Sequence, residues 1–92
     1  MKEKLNVIKE RIREGDLDTA IAQLAEYIQL YPTNNDEPYN LLGNAYRKQG
    51  NWLMALTTYL EAMERNPESP AVQAHQMMMD ILKFYNKDMY KQ

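Results

Sequence analysis

The residues of this sequence whose types and spacing suit them for chemistry are few and polar. Asn40 and Asn44 are four positions apart, so they share one face if the segment is helical. An Asn amide both donates and accepts hydrogen bonds, and such a pair can hold an extended peptide backbone. Arg47 and Lys48 follow closely and can attract an acidic segment. The alternative is that these residues only form a solvated helix face. Exposed ion pairs on such a face contribute about 0–1 kcal/mol to stability.

Residues for catalysis or metal binding are scarce. His75 is the only His, and the chain has no Cys. A lone His without a second ligand or a neighbouring acid does not make a metal site or a general base. The acidic residues are spread along the chain and form no converging pair for acid–base work. We therefore expect a non-catalytic protein with no metal and no cofactor.

Length and charge narrow the class further. The 92 residues suit one small domain, and the net charge of −2 argues against a nucleic-acid binder, which usually carries a basic stripe. The longest apolar run, residues 52–56, is far below the roughly 20 residues that span a bilayer. The N-terminal segment mixes charges throughout, unlike a signal peptide. These features predict a cytoplasmic protein that binds neither membrane nor nucleic acid.

The elements that must position these residues are helices. Leu5, Ile8 and Ile12 recur at spacings of three and four, which is one face of a helix, and no segment alternates like a strand. Gly and Pro fall between the apolar stripes, where they end or restart helices. The pattern predicts an all-α fold with five helices, at about 2–14, 17–31, 37–49, 52–65 and 70–85.

Three of the helices have a predicted capping residue. Asp16 or Asp18 can cap the second helix, Asp36 the third and Asn51 the fourth, because their side-chain oxygens can accept from free amides of the first turn.

The sequence repeats itself. Residues of the first half recur at an offset of 34 or 35, and the one-residue difference falls in a turn, which absorbs it without rotating a helix face. At offset 34, Leu5, Ile8 and Ile12 match Tyr39, Leu42 and Tyr46. At offset 35, Gly15, Ala20, Tyr27 and Pro32 match Gly50, Ala55, Ala62 and Pro67, and Ala74, Met77 and Met78 match Tyr39, Leu42 and Gly43. The chain therefore consists of two helical hairpins and a fifth helix.

These repeated positions resemble the tetratricopeptide repeat family. The match is closest in the second hairpin, at Tyr39, Leu42, Gly43, Tyr46, Gly50, Ala55, Tyr59, Ala62 and Pro67. The first hairpin departs from the pattern at Lys9, where the family has a small residue. The resemblance implies an α-solenoid in which Gly43 lets the two helices of its hairpin approach closely. It divides the single domain 1–92 into repeat one (2–35), repeat two (36–69), a capping helix (70–86) and a polar tail (87–92).

The resemblance also implies a concave groove lined by the first helix of each hairpin and by the fifth helix. Carried onto this chain, the groove candidates are Asn6, Glu10, Arg13, Asn40, Leu41, Asn44, Arg47, Lys48, His75 and Met79. In the fifth helix the apolar side is expected to pack inward and to leave Met79 for the groove; its residues are Ala74, Met77, Met78, Ile81, Leu82 and Tyr85. Asn6 and Glu10 stand where one branch of the family has the Lys and Asn of a carboxylate clamp, so we do not expect that clamp here.

Two functions remain open from the sequence. The first is a non-catalytic adaptor or scaffold that binds a peptide or helix of a partner protein in the groove. The second is a self-association module, because about three repeats are usually needed for a stable stack and this chain has two with a cap. The corresponding expectation for the chain is a monomer or a weak homodimer.

Overall fold

The computed structural model describes residues 2–87, with side chains described for residues 3–85. Within this range the chain forms five α-helices and no strand: α1 (Lys2–Arg13), α2 (Leu17–Leu30), α3 (Glu37–Gln49), α4 (Trp52–Arg65) and α5 (Ala71–Lys87). The predicted all-α fold is confirmed, and every helix begins and ends within two residues of its predicted limits. Apart from its first residue, the predicted tail 87–92 lies outside the described residues.

Both hairpin turns are built the same way. Gly15 and Gly50 have φ angles of +88° and +89°, a left-handed conformation that glycine adopts without steric cost. The amide after each glycine donates back to a helix carbonyl, from Asp16 to Arg11 and from Asn51 to Tyr46, at 2.9 Å in both turns. Each turn therefore satisfies the free carbonyls at the end of its first helix.

The predicted caps were right in one case. Asn51 accepts a hydrogen bond from the amide of Met54 at 3.2 Å and caps α4. Asp16 and Asp36 make no side-chain hydrogen bond to their helices. Asp36 instead accepts from Asn66 Nδ2 at 3.3 Å, which ties the start of α3 to the end of α4.

The core is formed in two parts that share α3. The first part joins α1, α2 and α3 through Leu5, Ile8, Ile12, Ala20, Leu24, Tyr27, Leu41, Leu42 and Ala45. The second joins α3, α4 and α5 through Tyr39, Ala55, Tyr59, Ala62, Ala71 and Met78. Ile28 and Tyr46 pack against both parts. Each hairpin thus buries its apolar face against the next element, as a stack of repeats requires.

The two helices of the second hairpin meet at Gly43. A Cβ atom at Gly43 would lie 2.6 Å from Cδ1 and Cε1 of the Tyr59 ring, closer than such atoms approach in proteins. Tyr59 is fully buried, so its ring has little room to give way. The predicted close approach at Gly43 is therefore confirmed.

The orientation of α5 differs from the prediction. Ala71 and Met78 are fully buried against α4; they are seven residues apart and so lie on one side of the helix. Met77 was expected to pack inward but is 50% exposed, and Tyr85 is 69% exposed. The helix is turned about its axis relative to the prediction because Ala71 and Met78 make its contact with α4.

Candidate functional site

An open groove lies between α3 and α5. Its volume is about 320 Å³, and it is lined by Asn40, Asn44, Arg47, Pro70, Gln73, Ala74 and Met77. The three α3 residues recur at spacings of four and three, which places them in one row along the helix. The groove therefore has a polar wall on α3 and a mixed wall on α5.

Three of the ten predicted groove residues meet here: Asn40, Asn44 and Arg47. The candidates on α1, namely Asn6, Glu10 and Arg13, do not line this groove. Glu10 and Arg13 pair with each other at 2.8 Å on the exposed surface of α1. Lys48 is also exposed and lies outside the lining.

Leu41 was predicted to line the groove, and the structure contradicts this. Its side chain is 8% exposed and belongs to the core that joins α1, α2 and α3. One position along a helix turns the side chain by about 100°, so the neighbour of Asn40 faces a different element.

His75 and Met79 were also predicted to line the groove, and the lining of α5 does not include them. The residues that α5 presents to α3 are Gln73, Ala74 and Met77, while His75 and Met79 are half-buried elsewhere. The cause is the orientation of α5 set by Ala71 and Met78. The offset of 35 that placed His75 on Asn40 describes the repeat in sequence but not the rotation of this helix.

A buried tyrosine supports the polar wall from behind. The Tyr59 hydroxyl donates to Asn44 Oδ1 at 2.5 Å, which orients the Asn44 amide and leaves its NH₂ group as a donor. Burial raises the pKa of Tyr59, and the positive charge of Arg47 partly opposes this. Tyr59 is therefore a neutral hydrogen-bond donor at physiological pH.

Arg47 has no acidic partner within the described part of the chain. The ion pairs found there are Lys9 with Glu37, Arg11 with Asp16 and Arg13 with Glu10. No hydrogen bond of the described residues uses the Arg47 side chain. A guanidinium carries five N–H donors and suits a carboxylate or a row of carbonyl groups. Arg47 thus presents unused donors at the groove.

An apolar strip continues from the groove along α5. Met77, Ile81 and Phe84 recur at spacings of four and three, and they are 50%, 37% and 74% exposed. Sequence reasoning missed this strip and missed Gln73, because it assigned Met77 and Ile81 to the core. The spacing alone was a usable signal, since it defines a second apolar face on α5 beside the one that packs on α4.

The structure also bears on metals and membranes. Between residues 2 and 87, no three His, Cys, Asp or Glu side chains are placed to hold a metal ion together. None of the described helices combines the length and the apolar character needed to cross a bilayer.

Comparison with known proteins gives two matches. The sequence model of the tetratricopeptide repeat matches residues 11–76. The solution NMR structure of Bacteroides fragilis protein BF1650 is 56% identical to this chain, with a TM-score of 0.83 over 94% of this chain and 87% of that one. No curated protein matches. On the repeat match, which covers most of the sequence, the chain belongs to the tetratricopeptide repeat family.

Proposed function

We propose that this chain is a non-catalytic interaction module that binds a peptide or short helix of a partner protein in the groove between α3 and α5. Tetratricopeptide repeats generally mediate protein–protein interactions. The observation that carries the proposal is the pairing of a hydrogen-bonding wall, Asn40, Asn44 and Arg47, with the exposed side chain of Met77 in one groove.

The polar wall would hold the main chain of the bound segment. An extended peptide offers alternating N–H and C=O groups, and Asn40 can pair with both. Asn44 is already oriented by Tyr59, so less conformational entropy is lost when its NH₂ group binds a carbonyl. Arg47 would hold a carboxylate of the partner, because it has unused donors and no acid beside it.

The apolar strip would select the side chains of the bound segment. Met77, Ile81 and Phe84 offer an exposed face about two turns long on α5. Met is flexible and adapts to side chains of different shape. The preferred ligand is therefore a segment with apolar residues on one side and an acidic residue near one end.

The domain division follows from the same proposal. In this proposal residues 2–35 and 36–69 are the two repeats, and the capping segment 70–86 carries most of α5, which both covers α4 and supplies the second wall of the groove. In this arrangement the fifth helix is part of the binding site as well as a cap.

The test begins with selection of binders from a random library of linear peptides displayed on phage. The best peptide is then titrated into ¹⁵N-labelled protein, and the amide shifts are mapped. We expect the largest shifts at residues 40–47 and 70–77. Shifts confined to the outer surface of α2 and α4, or a selection that yields no binder, would refute the proposal.

Matched variants sharpen the result. Asn40→Ala and Arg47→Ala should each weaken peptide binding about tenfold, which corresponds to about 1.4 kcal/mol. Asn6→Ala and Lys48→Ala serve as controls of the same kinds of residue outside the groove, and their affinities should match that of the unmodified protein. Equal losses in both sets would show that the groove is not the binding site.

A further inference from the structure

A second surface lies at the opposite end of the stack, between α1 and α2. It is a cavity of about 310 Å³ lined by Lys4, Val7, Ile8, Gln23, Glu26, Tyr27, Leu30 and Tyr31. Val7 and Leu30 expose 53% and 60% of their surface there. This surface shares no residue with the groove between α3 and α5.

The repeat itself indicates that this face suits a covering partner. Val7 corresponds to Leu41 at the offset of 34 that relates α1 to α3. Leu41 is 8% exposed because α1 and α2 cover that face of the second hairpin. The same face of the first hairpin is uncovered by the described residues. It also holds a polar atom in need of a partner, since Gln23 Oε1 is buried and accepts no hydrogen bond within the described residues.

The charges of this face are self-complementary. Lys4 lies on the α1 side of the cavity and Glu26 on the α2 side. Lys4 Nζ donates to the Tyr31 hydroxyl at 3.2 Å and lies 5.3 Å from the ring centroid, and Lys4 has no ion-pair partner in the described part of the chain. Glu26 is exposed and has no ion-pair partner in the described part of the chain. A two-fold axis through such a face would bring Lys4 of each copy to Glu26 of the other.

We infer that the α1–α2 face binds a second copy of this chain about a two-fold axis, with Val7 and Leu30 at the centre and two Lys4–Glu26 pairs at the rim. The face is the outer side of a single hairpin, so the buried area falls at the low end for protein interfaces. The dimer is therefore weak, with a dissociation constant on the order of 10–1000 μM.

Charge reversal tests this inference without changing a core residue, because Lys4 and Glu26 are both exposed. Lys4→Glu places two carboxylates opposite each other at each end of the interface, and Glu26→Lys places two ammonium groups there. Each variant alone should dimerise about tenfold or more weakly than the unmodified protein. An equimolar mixture of the two should restore dimers, since every pair across the axis is again of opposite charge.

The measurement is sedimentation equilibrium up to about 1 mM, which covers the range of a weak interface. Leu30→Asp should abolish dimers by placing a charge at the apolar centre. Lys48→Glu is the control, a charge reversal at an exposed lysine outside this face, and it should leave the dimer unchanged. A strict monomer at the highest concentration, or a mixture that stays monomeric, would overturn the inference. Peptide binding in the α3–α5 groove would be untouched by that result.

Discussion

The two hairpins have the same turn but differ in the line of contact between their two helices, which we call the seam. Gly15 and Gly50 close them with φ angles that differ by one degree. Where α3 has Gly43 against the ring of Tyr59, the corresponding positions of the first hairpin are Lys9 and Leu24. Lys9 is exposed and reaches across to Glu37 at 3.5 Å, so it contacts the next hairpin rather than its own.

This difference shows that the repeat pattern specifies the turn and the seam separately. The left-handed turn reverses the chain in both hairpins. In the second hairpin the small Gly43 faces the large ring of Tyr59, and α3 and α4 make the most extensive contact of any two of the described helices. That contact places Tyr59 behind Asn44, so the seam of the second hairpin also orders the polar wall of the groove.

The largest expected effect is the difference in stability loss between truncating a buried residue of the second hairpin and truncating its exposed counterpart in the first. Leu41→Ala should lower the free energy of unfolding by about 2–4 kcal/mol, because it leaves a cavity among α1, α2 and α3. Val7→Ala changes the corresponding exposed position and should cost less than about 0.5 kcal/mol in the monomer. Urea unfolding at low protein concentration measures both. Equal losses would contradict the assignment of Leu41 to the core.

The next effect tests the seam itself. Gly43→Leu should destabilise the protein by about 1–3 kcal/mol, since even a Cβ atom there meets the buried ring of Tyr59. Lys9→Leu places the same side chain at the corresponding position of the first hairpin, which is exposed. We expect thermal unfolding to show a lower Tm for Gly43→Leu and little change for Lys9→Leu. An unchanged Tm in Gly43→Leu would show that the helices do not meet closely at this point.

A double-mutant cycle makes the second hairpin resemble the first. Tyr59→Leu introduces the residue found at Leu24 and removes the ring beside Gly43. In that background Gly43→Ala should stabilise the protein by up to about 1 kcal/mol, because Ala favours helix and no ring opposes it. In the unmodified protein the Cβ atom of Gly43→Ala meets the Tyr59 ring, so the gain in stability should be cancelled or reversed. A coupling energy near zero would show that Gly43 and Tyr59 do not interact energetically.

The smallest effect concerns pH. Burial raises the pKa of Tyr59 above its usual value, so the unfolded chain releases this proton before the folded chain does. The neutral Tyr59 hydroxyl makes its full contribution to the free energy of unfolding below about pH 10. This contribution falls as the pH rises further, by at most about 1.4 kcal/mol per pH unit. Tyr59→Phe should therefore lose stability less steeply than the unmodified protein between pH 9 and 11. Parallel stability curves would contradict a buried Tyr59 hydroxyl.

The fold and the α3 wall of the groove were predictable because both depend on local spacing. Gly, Pro and apolar periodicity defined the five helices, and spacings of four and three placed Asn40, Asn44 and Arg47 in one row. Leu41 was misplaced because its burial depends on α1, which lies far away in sequence.

The α5 wall was not predictable for a different reason. Residues 77, 78, 79, 81 and 82 are all apolar, so the sequence of this helix is compatible with several orientations. Packing of Ala71 and Met78 against α4 selects one of them. That choice moves Met77 to the groove and removes His75 and Met79 from it.

The most direct test of the central claim is site-specific photo-crosslinking in the cells that make this protein. A benzophenone amino acid at Gln73 would stand in the groove, and the same group at Glu64 would stand on the exposed surface of α4. We predict that position 73 captures a partner protein, that position 64 does not, and that Arg47→Glu abolishes the capture. Equal capture at both positions, no capture at either, or capture unaffected by Arg47→Glu would contradict the groove as the binding site.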